Sequence, residues 1–244
     1  MFKKKQKDIR EIHESVNSSP SFKYETHVHT SEASACALDT AADMVRAYAQ
    51  AGYQGIIVTD HFFNGNTCVP QHLPWELRVE LFCQGYENAR EEGDKCGLQV
   101  FFGWEYGYHH TDLLTYGLDK TFLLEHPDIL NWRIDEYADK VHENGGFITH
   151  AHPFREAFYI SRIRLLPNIV DGVEVINASH TDPSFNQKAL EYALENGLLK
   201  MSGSDAHSVR QLFGGGVAFD RKMNSIDDFI DTIRSKEGYR ILGR

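Results

Sequence analysis

An α/β barrel is the fold this sequence predicts, and three observations predict it. Strand-like and helix-like segments alternate along most of the 244 residues, the pattern of a parallel sheet covered by helices. About seven strand candidates occur without a Gly-x-Gly-x-x-Gly turn, which favours a closed sheet over a dinucleotide-binding one. Five of the strands finish in imidazole or carboxylate residues, where a parallel barrel gathers its functional side chains.

Residues 1–20 read as a polar arm with a short helix ending at Asn17-Ser18-Ser19-Pro20, and residues 21–244 as a single barrel domain. Tyr24 to His29 alternates like a strand. Asp39 or Thr40 caps a helix through Met44, Val45, Tyr48 and Ala49 that stops at Gly52. Gly55-Ile56-Ile57-Val58-Thr59 is a short apolar run suited to a strand buried on both faces. Trp75 to Asp94 forms a long amphipathic helix, Leu98 to Trp104 a strand and Asp112 to Tyr116 a shorter one. Asp128 to Glu143 is helical and closes at Asn144-Gly145. Strands follow at Gly146 to Thr149 and Gly172 to Ile176. Pro183 to Glu195 is a helix with Pro at its start and Gly197 past its end. Leu199 to Gly203 is a strand, Gly216 to Phe219 a further candidate, and Ser225 to Lys236 a last helix.

Composition narrows the function classes. Apolar residues make up 41%, enough for a sizeable core, and Asp+Glu (35) outnumber Lys+Arg (25), a net charge of −10. Such a surface argues against general nucleic-acid binding, which needs clustered cations. No apolar run approaches the ~20 residues of a membrane span, and the charged start (Lys3, Lys4, Lys5) lacks a secretory signal. Cys36, Cys68, Cys83 and Cys96 form no Cys-x-x-Cys pair and read as free thiols of a cytoplasmic protein.

The excess is in histidine, 13 residues, and several of these end strands. The first strand ends His27-Val28-His29, the second Asp60-His61 and the third at Glu105. The strand before Pro153 ends His150-Ala151-His152, and the one after Met201 ends Ser204-Asp205-Ala206-His207. Residues i and i+2 of a strand share a face, so His27 and His29 can grip one ion together. Imidazole mixed with carboxylate suits Zn, Fe, Mn or Ni, and this many donors suggests two or more ions. Any one piece has an ordinary structural explanation. Their coincidence at five strand ends points to metal.

The order of these pieces resembles the polymerase and histidinol phosphatase (PHP) family of metal-dependent phosphoesterases. The matching segments are Thr26-His27-Val28-His29-Thr30, Val58-Thr59-Asp60-His61, Gly103-Trp104-Glu105, Ala151-His152-Pro153 and Gly203-Ser204-Asp205-Ala206-His207. The resemblance implies a distorted seven-stranded (β/α)7, TIM-like barrel. It implies that His27, His29, Glu105 and Asp205 surround one ion and that Glu105 bridges to a second held by His152. The family's members hold two or three divalent ions, and His61 and His207 would belong to a third, or to whichever ion remains when only two are bound. His150 is then expected in a supporting or core role. Where relatives carry a His or Asp soon after His-x-His, this chain offers Glu32 and Cys36. Where relatives carry a His on the short strand after the bridging Glu, it offers Asp112 or His110.

The chemistry implied is hydrolysis of a phosphate ester: a small metabolite, a nucleotide or a phosphoprotein. Paired ions would activate a shared water and hold the phosphoryl oxygens. Asp60 is the candidate catalytic residue, orienting a ligand imidazole or carrying a proton, with helix capping as the other reading. Arg155 is the candidate phosphate-binding residue, ahead of Arg162, Arg164 and Arg210. Gly214-Gly215-Gly216 reads as a turn before a strand, and Glu174 as either a pocket residue or a buried hydrogen-bonded one. Two other readings stand beside this one: an amidohydrolase-like metal-dependent hydrolase, and a non-catalytic metal-binding domain. No Lys ends a core strand to be carbamylated, and none of the 244 residues reads as a polymerase domain, so a proofreading role would be expected to need a separate partner. The expected partner is a phosphorylated small molecule, without a membrane.

Overall fold

Phe22–Val28 (β1) lies at the heart of a nine-stranded sheet. The structure is a computed structural model that describes residues 21–243. The arm expected at 1–20 lies outside the described residues. Gly55–Val58 (β2) and Gln99–Tyr108 (β3) pair parallel to β1 in succession. Thr111–Tyr116 (β4), Phe147–Ala151 (β5), Gly172–Asn177 (β6) and Leu199–Gly203 (β7) continue the sheet on that side. Gly216–Phe219 (β8) and Tyr239–Leu242 (β9) extend it on the other side of β1.

The sheet curls until its ends nearly meet. Just past β7, Ala206 donates its N–H to the His27 carbonyl (3.2 Å), and His29 donates to the Ala206 carbonyl (2.9 Å). Lower down, Thr26 Oγ1 donates to the Ser202 carbonyl at 2.6 Å. This closure brings the C-terminal ends of β1, β2, β5 and β7 around one mouth. Tyr24, Ile57, Leu114, Tyr116, Phe147, Met201 and Phe219 fill one buried cluster.

Helices cover the outside. Ala41–Gln50 (α1) is capped by Thr40, whose side chain accepts from Asp43 N, and it buries Met44, Val45 and Tyr48 against β1 and β2. Trp75–Cys96 (α2) ends at Gly97 in the left-handed conformation. Lys120–Glu125 (α3), Ile134–Glu143 (α4), Pro183–Asn196 (α5) and Ile226–Ser235 (α6) complete the layer. Among the described residues no helix is long and apolar enough to cross a membrane.

The sheet departs from a seven-stranded parallel barrel in three ways. It has nine strands, because β8 and the short, half-buried β9 form an antiparallel addition beside β1. β4 is antiparallel to both β3 and β5. The β3–β4 connection is the two-residue turn His109-His110, with φ of 51° and 65°, and so tight a turn can join only antiparallel strands. The helix expected over 128–143 is broken: Ile129–Asn131 is a 3₁₀ turn, Trp132 is extended, and α4 starts at Ile134. The segment containing α3 was not expected as a helix; Asp119 caps it by accepting from Phe122 N.

Candidate metal centre

Seven side chains converge where the sheet closes. His27 and His29 project from one face of β1, their ring centroids 5.0 Å apart. His61 follows β2 and is held beside β3 by two backbone bonds, Phe62 N to Glu105 O (2.8 Å) and Glu105 N to Asp60 O (3.0 Å). Glu105 sits within β3, His152 just past β5, and Asp205 and His207 just past β7. His152 and Asp205 have φ of 28° and 51°. That backbone costs a non-glycine residue about 1–2 kcal/mol, and such strain is stored where a site needs it.

Glu105 is the hub. Its carboxylate oxygens lie 3.4 Å from His27 Nε2, 3.6 Å from His29 Nε2, 2.6 Å from His61 Nδ1 and 3.1 Å from His152 Nε2. Asp205 Oδ1 lies 3.4 Å from His27 Nε2, 3.2 Å from His29 Nε2 and 3.6 Å from His207 Nδ1. Yet His27 Nε2 and His29 Nε2 are buried without a hydrogen-bond partner. Leaving such groups unsatisfied costs about 1–3 kcal/mol each, and one cation between them and the Glu105 and Asp205 carboxylates would satisfy both. Four donor groups have the compactness a metal requires: His27/His29/Glu105, His27/His152/Asp205, Glu105/Asp112/His152 and His29/His61/His207, each with ligand atoms within 4.8 Å of one another. Burial and the neighbouring His207 and His61 hold the His29 pKa well below its ordinary value, so its ring stays neutral with a lone pair to give.

A second layer fixes these donors. Glu174 on β6 takes His27 Nδ1 at 3.0 Å with one oxygen; the other accepts from His152 N (3.0 Å) and Asn177 Nδ2 (2.9 Å). His27 Nε2 is thereby turned toward Glu105 and Asp205. Asp60 does not face the donors directly. It accepts from Thr30 N (2.6 Å), Thr30 Oγ1 (2.7 Å) and Ser34 Oγ (2.6 Å), and Ser34 Oγ lies 3.1 Å from His29 Nδ1. Burial pushes the Asp60 pKa up to about 6 against those hydrogen bonds. Glu25, not singled out in the sequence, accepts from the N–H groups of Thr26, His27 and Ser204 and so ties both ligand-bearing strand ends together. Its signal was an acid two positions before His27, on the same inward face.

A cavity of about 690 Å³ opens over the cluster, with Cys36, His61, Glu105, Asp112, Arg155 and His207 among its walls. Arg155 reaches it with its guanidinium against Asp205 Oδ2. Asp112 stands 4.0 Å from His152 Nε2, its carboxyl raised to about 6 by burial and by Glu105. His110 is on the cavity rim. His150 turns away, both ring nitrogens unpartnered, edge-on to Tyr192. Glu32 is committed elsewhere, both oxygens accepting from Ala41 N at the start of α1. Arg164 braces the hairpin through the His109 carbonyl (2.6 Å). Gly215 packs directly on the Gly203 and Ser204 backbone, as a close-packed turn before β8 does.

Glu174→Gln is expected to lower metal affinity about 10–100-fold with the fold intact, because the amide cannot hold the His27 imidazole as a carboxylate does. Competition with a chromophoric chelator would measure this, and unchanged affinity would mean that Glu174 only fills space.

Residues 183–237 match the family model described as PHP-associated. No curated protein matches the chain. A two-domain protein from Bacteroides vulgatus, containing a predicted PHP-like metal-dependent phosphoesterase, shares the fold at a TM-score of 0.64 and 16% identity, over 88% of this chain and 63% of that one. The chain therefore spans less than two thirds of that protein. PsfC from Pseudomonas syringae aligns at 0.58 and 18% identity, over 91% of this chain and 90% of its own. An amidohydrolase from Chromobacterium violaceum aligns at 0.54 and 13% identity, over 76% and 88%. Identities this low carry the fold.

Proposed function

We propose that the protein is a metal-dependent phosphoesterase that hydrolyses a phosphate ester at a centre of two or three divalent ions. The observation that carries the reading is the convergence of the buried, unpartnered His27 Nε2 and His29 Nε2 on the carboxylates of Glu105 and Asp205. His27, His29, Glu105 and Asp205 would hold one ion, Glu105 and His152 with Asp112 a second, and His61 and His207 an outer one. Bound Zn, Mn or Fe would supply an activated water and neutralise phosphoryl charge.

The chain's own residues do the rest. Glu174 and Ser34 fix the His27 and His29 rings through their Nδ1 atoms. Asp60 acts through Ser34 and is a positioning residue in this account. Arg155, on the cavity wall, is placed to take a phosphoryl oxygen with a planar, bidentate-capable group. The cavity is of the size that holds small ligands, which fits a phosphorylated metabolite, a nucleotide or a phosphorylated side chain. These donors also fit an amidohydrolase-like reaction, but no lysine is among the cavity-lining residues to be carbamylated.

The test is a screen of phosphate monoesters and diesters beside cyclic amides, with chelator and metal add-back. Phosphate release that chelation abolishes and ions restore is the expected result. Amide hydrolysis without phosphate release, or turnover indifferent to chelator, would overturn it.

A further inference from the structure

The cavity over the metal centre is walled by two kinds of side chain. Where the β3–β4 hairpin meets the β5–β6 connection the wall is aromatic, with His109, His110 and Tyr159 lining it. The His110 and Tyr159 ring centroids stand 6.3 Å apart at 53°, so neither ring covers the other's face. Phe158, fully exposed, meets the half-exposed Tyr159 edge-on at 5.3 Å. Neither Phe158 nor Tyr159 packs into a buried apolar cluster, so burial in the fold does not account for them. The hairpin turn fixes the other side of the gap: both its residues have positive φ, and Arg164 Nη1 donates to the His109 carbonyl at 2.6 Å.

The stretch of wall after β2 is polar, lined by Asn64, Gly65 and Asn66. Asn64 Oδ1 accepts from Gly107 N (3.1 Å) and Asn66 O from Ala35 N (2.9 Å), which holds the segment in place. Among the described residues no group takes the Asn66 side-chain amide, so its carbonyl and N–H groups are free to meet a ligand.

We infer that Tyr159 and His110 set the substrate specificity of the site: they stack a flat heteroaromatic ring carried by the leaving group, and Asn66 meets the polar edge of that ring. The substrate class is a nucleoside monophosphate. The inference rests on the phosphoesterase reading above and narrows it. Aromatic side chains hold a base by its π-face, and an amide matches the donor and acceptor pattern of a base edge. A sugar phosphate would leave the aromatic wall unused, and a phenyl ring would leave the amide unused. The net charge of −10 weighs against a longer nucleic-acid strand. Hydrolysis consumes one water: its oxygen joins phosphorus, the ester P–O bond breaks, and one of its protons ends on the departing nucleoside hydroxyl.

The test compares kcat/KM for adenosine monophosphate with that for ribose phosphate, the same ester without the base, on the metal-supplied full chain. A phosphotyrosine peptide is run beside them. The parent is expected to prefer the nucleotide by about tenfold or more. Tyr159→Ala and His110→Ala should each lower that ratio several-fold, while Tyr159→Phe and His110→Phe, which keep a ring, should preserve it. Equal turnover of the two esters, a preference for the peptide, or a Tyr159→Ala variant with the parental ratio would overturn the assignment and leave the phosphoesterase reading standing. A parent that releases phosphate from no ester would overturn both.

Discussion

Glu105→Ala is expected to reduce phosphate-ester hydrolysis by about a thousandfold or more and to strip bound metal, without unfolding the protein. Glu105 lies within 4 Å of the ring nitrogens of His27, His29, His61 and His152. Its loss removes the carboxylate that stands between the inner and second donor groups and leaves only Asp205 to balance the charge of an ion held there. The backbone of β3 would stay paired, Glu105 opposite Leu114, so the fold has no reason to fail. Steady-state kinetics, metal content and circular dichroism on one preparation would check all three parts. A folded variant with parental kcat/KM would contradict the role given to Glu105.

Gly203→Ala is expected to destabilise the protein by about 1–3 kcal/mol, the usual cost of overpacking, and to weaken metal binding at the same time. A Cβ at Gly203 would lie 2.6 Å from Glu174 Oε1 and 2.6 Å from His27 Cβ. Neither neighbour can retreat cheaply. The Glu174 carboxylate is held by His27, His152 N and Asn177, and His27 is fixed in β1 by Glu25. The methyl group would therefore part His27 from the carboxylate that orients it. Urea unfolding of parent and variant, with and without metal, would show the effect. An unchanged midpoint would mean that β7 stands farther from β1 than described.

The metal-type residues were legible in the sequence because their chemistry demands particular side chains at particular spacings. His27-x-His29 needs one strand face, and the other donors need strand ends that share a mouth. The supporting layer was harder to read. Glu174 and Glu25 are acids in strands, and only the fold reveals which carboxylate meets His27 Nδ1 and which meets its N–H. Asp60 drew attention as the neighbour of His61, but its link to His29 runs through Ser34, which carried no signal. The topology was legible up to the point where local turns took over. His109-His110 lacks the Asn-Gly type of pair that marks a tight hairpin, so β4 read as one more parallel strand. β9 has four residues without clean alternation and is held by pairing to β8. α3 is too short for periodicity to show and depends on its Asp119 cap.

The most direct test of the metal centre is the number of ions bound per folded chain. It would be read by plasma mass spectrometry on protein purified without chelator or a metal-binding tag, beside a folded Asp205→Ala variant. Two or more divalent ions in the parent and fewer in the variant are predicted. A parent that remains metal-free after Zn, Mn and Fe have been supplied would contradict the account at its base.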